Sequence, residues 1–276
     1  MAILSVELKG GLGNQLFQIA TCFAIASTLK CPFYIRKNSN WFAGQGSHPT
    51  KYYSSLYKKL SFIDSLDIEY TLHEREFTYY SIIDDIPNNT VSLDGFFQSE
   101  QYFKHYSSDI KKLFTPDEGI VQWLYANTSI YAQFPELKEP NDYCVICVRR
   151  GDYIMYKDVH NPCGMTYYCD AMAKMNKERY YIFSDDMEWC KQNFVGDQFV
   201  FLDIVDDLET FFVLTLFKNY IISNSTFYWW GSYLSIHENP RVIAPDKWAF
   251  GKDVKKEQYW SIYRDDMEVL ERPIES

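Results

Sequence analysis

The stretch CVICVRRGDYI, residues 144–154, is an apolar run that ends abruptly in two arginines, a glycine and an aspartate. The run is too short for a helix of ordinary length and rich enough in β-branched residues to be a strand buried on both faces. Working outward, the same rhythm repeats. RYYIFSD (179–185), QFVFLDI (198–204), YIISN (220–224) and RVIAP (241–245) read as strands, the last closing the set. MTYYCDAMAKMNK (165–177), MEWCKQNF (187–194), DLETFFVLTLFK (207–218) and TFYWWGSYLSIH (226–237) read as the helices between them. Apolar strands alternating with helices predict a parallel α/β sheet covered on both sides. Ligands of such sheets bind at the carboxyl ends of the strands. One rim then gathers Arg149, Arg150, Gly151 and Asp152, then Ser184, Asp185 and Asp186, then Asp203, then Ser223, Asn224, Ser225 and Thr226. Guanidinium groups, hydroxyls and helix N-termini on one rim favour a diphosphate. The rival readings of the arginines are a salt-bridged strand end and an Arg-Gly-Asp adhesion tripeptide. The second needs a flexible exposed loop on a secreted protein, which a strand end inside a sheet does not offer.

Upstream, ILSVEL (3–8) reads as a strand, KGGLGNQ as a glycine loop and LFQIATCFAIASTLK (16–30) as a helix, followed by a strand PFYIR (32–36). The loop is a plausible phosphate cradle through Gly11, Gly13 and Asn14, with Gln15 able to donate to a ligand. The third glycine of a dinucleotide fingerprint is replaced by Leu16, so a nicotinamide cofactor is poorly supported. Residues 37–92 are irregular, and their tyrosines and Trp41 are candidates for stacking on sugar rings or for the core. The proline-rich, charged FPELKEPND (134–142) is the expected linker, giving domains 1–138 and 139–276.

The chain has 276 residues, 47% hydrophobic and 18% aromatic, with a formal net charge of −10. The composition fits a globular protein of about two domains. The acidity disfavours nucleic acid and anionic membranes as general partners. No apolar run reaches the roughly 18–20 residues that span a bilayer, and the first residues lack the features of a signal peptide. The seven cysteines are read as reduced thiols and the protein as cytoplasmic and soluble, without a stable membrane anchor, though peripheral association stays open. Sequons at Asn88, Asn127 and Asn224 are read as chance matches. Cys144 and Cys147 sit three apart on a strand, so they point to opposite faces and serve packing rather than a metal. No Asp-x-Asp pair, zinc motif or serine-hydrolase elbow occurs. If the rim binds a diphosphate, arginine takes the role of a metal, and no metal or cofactor is expected.

GGLGNQLFQ (10–18), LDGFFQSEQYF (93–103), VRRGDY (148–153), FSDDMEWC (183–190) and SNSTFYWWGSYL (223–234), in this order, resemble the α-1,2-fucosyltransferases of glycosyltransferase family 11. The resemblance implies a GT-B-like fold of two Rossmann-like domains, with the donor site in the C-terminal parallel sheet. It implies an inverting, metal-independent enzyme that transfers fucose from GDP-fucose to the 2-hydroxyl of a galactose-containing glycan. Arg149 would grip the diphosphate, with Ser225 and Thr226 beside the phosphates and the glycine loop at the cleft. The family's histidine two residues before the first arginine is Cys147 here, a weak donor in place of an imidazole. A carboxylate, Asp152 or Asp158, would take the acceptor proton, and Asp185 and Asp186 would serve the ribose or guanine. The alternatives are a transferase for another nucleotide sugar and a sugar-nucleotide-binding protein without catalysis.

Overall fold

The computed structural model describes residues 2–37, 41, 46–75, 78–138, 143–248 and 260–271. The chain divides into two compact units, and each is built on its own parallel sheet. The first holds β1 (Ile3–Glu7), α1 (Leu12–Leu29), β2 (Phe33–Arg36), β3 (Phe62–Ile63), β4 (Tyr70–His73), β5 (Thr90–Asp94) and α2 (Ser107–Leu113). Its strands lie in the order β3-β2-β1-β5-β4. β3 and β4 fall in the stretch that reads as irregular. β4 is an edge strand in which Leu72 alone is buried, so its alternation is too short to stand out.

The second unit holds α3 (Ile120–Asn127), α4 (Ile130–Gln133), β6 (Cys144–Val148), α5 (Gly151–Met155), α6 (Lys157–His160), α7 (Met165–Met175) and β7 (Tyr180–Ser184). It continues with α8 (Met187–Asn193), β8 (Phe199–Phe201), α9 (Asp207–Leu214), β9 (Asn219–Ile222), α10 (Thr226–Tyr233), β10 (Arg241–Pro245) and β11 (Met267–Leu270). Its sheet runs β11-β10-β9-β6-β7-β8, every pair parallel. β11 extends the sheet beyond β10, where the sequence reading stops. This is the α/β, two-sheet architecture that the sequence predicts.

β6 lies between β9 and β7, and all five of its residues are buried. Cys144, Ile146 and Val148 face α7, packing with Tyr167, Tyr168, Ala171 and Met175. Cys147 belongs to the opposite face, as period-two alternation requires.

The boundary differs from the expected one. The first unit ends at Asp117, and residues 260–263 return to it. There the Ser261 hydroxyl accepts the Tyr79 N–H at 3.0 Å. Helices α3 and α4 belong to the second unit, where the Trp123 ring packs on Phe212 at 4.6 Å. Pro135–Lys138 forms a 3-10 turn that is docked rather than free. Leu137 is buried, and Glu136 accepts the Tyr181 hydroxyl at 2.8 Å. A proline-rich charged stretch marks a break in regular structure, and a docked turn meets that description as well as a linker does. Residues 139–142 lie outside the described ones.

Candidate active site

β6 delivers Arg149 and Arg150 to the rim, and the sheet separates their roles. Arg149 Nη2 contacts Asp152 Oδ1 at 2.7 Å, and its Nη1 contacts Asp185 Oδ2 at 3.0 Å. Its guanidinium carbon lies 5.3 Å from the Tyr153 ring centroid. Burial works against this charge, but Asp185 and then Asp152 outweigh it, and Arg149 holds its proton more tightly than an ordinary arginine. Arg150 turns elsewhere. Its Nε contacts Asp186 Oδ2 at 3.1 Å, and its guanidinium stacks over Trp189 at 4.0 Å. Arg150 thus ties β6 to α8, and Arg149 is the arginine of the rim.

The aspartates after β7 hold this arrangement. Asp185 Oδ1 accepts the Arg150 N–H at 2.8 Å while Oδ2 holds Arg149. A side chain at Gly151 would place its Cβ 2.6 Å from Asp185 Oδ2. Only glycine lets the carboxylate come this close. Asp186 Oδ1 caps α8 by accepting the Trp189 N–H at 3.2 Å. Both carboxylates expected at the ribose or guanine are therefore engaged in positioning the arginines.

The turn from β9 to α10 forms the other wall of this rim. Ser225 is the N-cap of α10, yet no side chain caps that helix. The Ser223 hydroxyl is fully buried and has no hydrogen-bond partner among the described residues. The Ser225 hydroxyl does not take the capping role. Tyr228 of α10 donates to the Val148 carbonyl at 3.0 Å, which fastens the helix start to the strand that carries Arg149. A helix start that Ser225 does not cap, beside a guanidinium, favours an anion.

Other expected contacts are corrected. Asn224 is 1% exposed, and its Nδ2 donates to the His160 and Trp248 carbonyls at 2.6 and 2.7 Å. It is a staple of the unit, and no glycan reaches it. Cys147 is wholly buried, and burial pushes its thiol far above the usual range. It offers nothing to a ligand, because an interior strand position faces the core and not the rim. Trp229 and Trp230 read as packing residues from the sequence and do lie in the core, both 0% exposed. Asp158 is exposed and makes no hydrogen bond or ion pair among the described residues.

In the first unit the glycine loop is closed on itself. The positive φ of +78° is at Gly10, while Gly11 is the extended N-cap of α1 and Gly13 is buried within that helix. Gln15 is buried; its Nε2 donates to the Gly10 carbonyl at 3.0 Å, and its Oε1 accepts the Tyr57 hydroxyl at 2.9 Å. Gln18 grips both backbone groups of Lys9, at 3.0 and 2.8 Å. Asn14 accepts from Gln98 at 2.8 Å. Gln15 is thus spent inside, not held for a ligand. Tyr52 and Tyr57, candidates for sugar stacking, are core residues. Trp41 is half-buried, its Nε1 on the Gly46 carbonyl at 3.0 Å.

Two residues that the sequence reading passes over join the Arg149 cluster. Tyr153 donates to the Asn224 carbonyl at 3.1 Å. The His160 imidazole stacks on the Tyr153 ring with centroids 4.2 Å apart and planes at 12°. A histidine without a nearby partner in sequence carries no local signal. Only the turn of the chain after α5 brings it here.

Among the described residues, no helix is long and apolar enough to cross a membrane. The family model described as glycosyl transferase family 11 matches residues 5–265. An alpha-1,2-colitosyltransferase of Escherichia coli is 27% identical over 281 residues, covering 90% of this chain and 93% of that protein. A galactoside 2-alpha-L-fucosyltransferase of Caenorhabditis elegans is 24% identical over 263 residues, covering 86% of this chain and 70% of that protein. Among solved structures, the fucosyltransferase NodZ from Bradyrhizobium matches with a TM-score of 0.51 at 11% identity, over 83% of this chain and 92% of that one. At that identity the likeness speaks for the fold, which is GT-B-like.

Proposed function

Because the chain belongs to glycosyl transferase family 11, we propose that it transfers fucose from GDP-fucose to the 2-hydroxyl of a galactose-type acceptor, with inversion and without a metal. The observation that carries this reading is the pairing of Arg149 with the uncapped start of α10 on one rim. As the bond from C1 of the sugar to the β-phosphate breaks, negative charge gathers on GDP. A fixed guanidinium and the N-terminal end of α10 offset that charge without reorganising. Ser225 and Thr226 line the phosphate end, while Ser223 is fully buried. Positive character grows on the sugar ring, and the acceptor oxygen attacks from the opposite face.

Arg149 is bracketed by Asp152 and Asp185. Asp185 is anchored on the Arg150 N–H. The Asp152 side chain is 47% exposed, so it is the partner that yields to a phosphate oxygen. Exchange of one anion for another at a half-exposed site costs little.

The donor sugar has a second reading, favoured by the 27% identity to the colitosyltransferase: transfer of colitose from the corresponding nucleotide. Position 2 figures in the names of both relatives. Calorimetry of GDP and GDP-fucose in EDTA, on wild type and Arg149→Ala, tests the clamp. Binding that survives EDTA and collapses in the variant is expected. A wild type that binds neither nucleotide would sink the reading. Turnover with fucosyl and colitosyl donors then separates the two sugars.

A further inference from the structure

His160 has no role in the clamp, yet it is held in the clamp's midst. Its ring lies nearly parallel to Tyr153, and its backbone carbonyl is fixed by the Asn224 amide at 2.6 Å. Tyr153 in turn is anchored by its hydroxyl on the Asn224 carbonyl and packs against the Arg149 guanidinium. The imidazole is half-buried, and neither ring nitrogen has a hydrogen-bond partner among the described residues. A held, partly desolvated polar group with unspent capacity calls for a partner that arrives with the ligand.

The two carboxylates that compete for the role of base fit it less well. Asp152 spends Oδ1 on Arg149 at 2.7 Å. Asp158 stands in solvent, and no bond or ion pair joins it to the Arg149 cluster. A neutral imidazole is the side chain best matched to accepting a proton near neutral pH.

We propose that His160 is the general base that takes the proton from the acceptor hydroxyl. The inference rests on the glycosyl-transfer reading above. The acceptor oxygen forms its bond to C1 as the C1–O bond to the β-phosphate breaks. The bonding electrons leave with GDP, the hydroxyl proton passes to the free ring nitrogen, and water later removes it. Arg149 meets the charge at the leaving end and His160 the proton at the entering end.

The ionisable groups around the ring are Arg149, Asp152 and Tyr153, with Cys163 acting on Tyr153. Burial lowers the proton affinity of His160, Asp152 raises it, Arg149 lowers it again, and the net direction is down. A depressed histidine is neutral, hence competent, above its pKa. Activity therefore fails only as pH falls below about 6.5, the ordinary value for histidine.

The test uses the full chain with GDP-fucose and a galactoside acceptor, comparing wild type, His160→Gln and His160→Asn. The two amides keep a polar group and similar bulk, and thermal unfolding confirms that each folds. The expected result is a fall in kcat of about 100-fold or more, GDP affinity by calorimetry within about twofold of wild type, and loss of the acidic limb of the pH profile. A kcat within about threefold of wild type, or a limb that persists, overturns the proposal. So does a loss of GDP affinity that accounts for the whole fall in rate, since His160 would then serve the donor. A wild type that binds no GDP removes the donor reading and the base with it.

Discussion

The turn after β1 and the turn after β6 occupy the same topological position, the carboxyl end of a parallel strand just before a helix, and they use their polar groups in opposite ways. After β1, the conspicuous glycine loop closes on itself through Gln15 and Gln18, whose side chains are buried and spent on the backbone of Gly10 and Lys9. After β6, Arg149 stays partly exposed between carboxylates, and the neighbouring helix start at Ser225 carries no side-chain cap. A glycine-rich signature therefore marks a shaped backbone, while available binding energy lies where donors remain unspent. Under the proposed function the first turn serves stability and the second serves binding.

The sharpest way to break this contrast is Arg149→Ala. Loss of a charge-assisted contact of about 3 kcal/mol predicts GDP binding weaker by about 100-fold, read by calorimetry. Unchanged affinity would erase the distinction between the two turns. Gln18→Ala probes the other side. It leaves the N–H and C=O of Lys9 without their partner and is expected to cost about 2–3 kcal/mol in urea unfolding. GDP affinity should hold, and an affinity that fell with stability intact would make the glycine loop a ligand site after all.

Gly151→Ala sharpens the comparison within the functional turn. The added carbon sits 2.6 Å from Asp185 Oδ2, so the carboxylate must retreat and Arg149 loses its fixed anchor. GDP binding about tenfold weaker, with a modest drop in thermal midpoint, is the expected outcome. Asp152→Asn carries the smallest effect. It removes a half-exposed anion that competes for Arg149, and tightening of GDP binding by about two- to fivefold is expected. Weakened binding would mean that Asp152 positions the guanidinium rather than competing for it.

The alternating apolar strands and helices from 144 to 245 settle the second sheet without reference to anything distant, because a strand buried on both faces has a composition of its own. The opposite facing of Cys144 and Cys147 follows from the same period. The arginine–aspartate cluster is legible as a cluster, since parallel strands place their carboxyl ends on one rim. Its internal division is not. Nothing local distinguishes Arg149 from Arg150, and the partners that separate them, Asp185 and Trp189, come from the next strand and helix.

The domain boundary, β11 and the short edge strands of the first sheet escaped for a related reason. Each is fixed by what it packs against, and a two- to four-residue segment carries too little periodicity to show it. By itself the sequence determined the fold class, the rim and the chemistry expected there, because residue type and spacing are local facts. Tertiary structure alone decided that Asn224 faces inward, that the Ser225 hydroxyl caps nothing, and that His160 stands beside Arg149. Burial and proximity across the sheet belong to pairs of distant residues, and no stretch of chain records them.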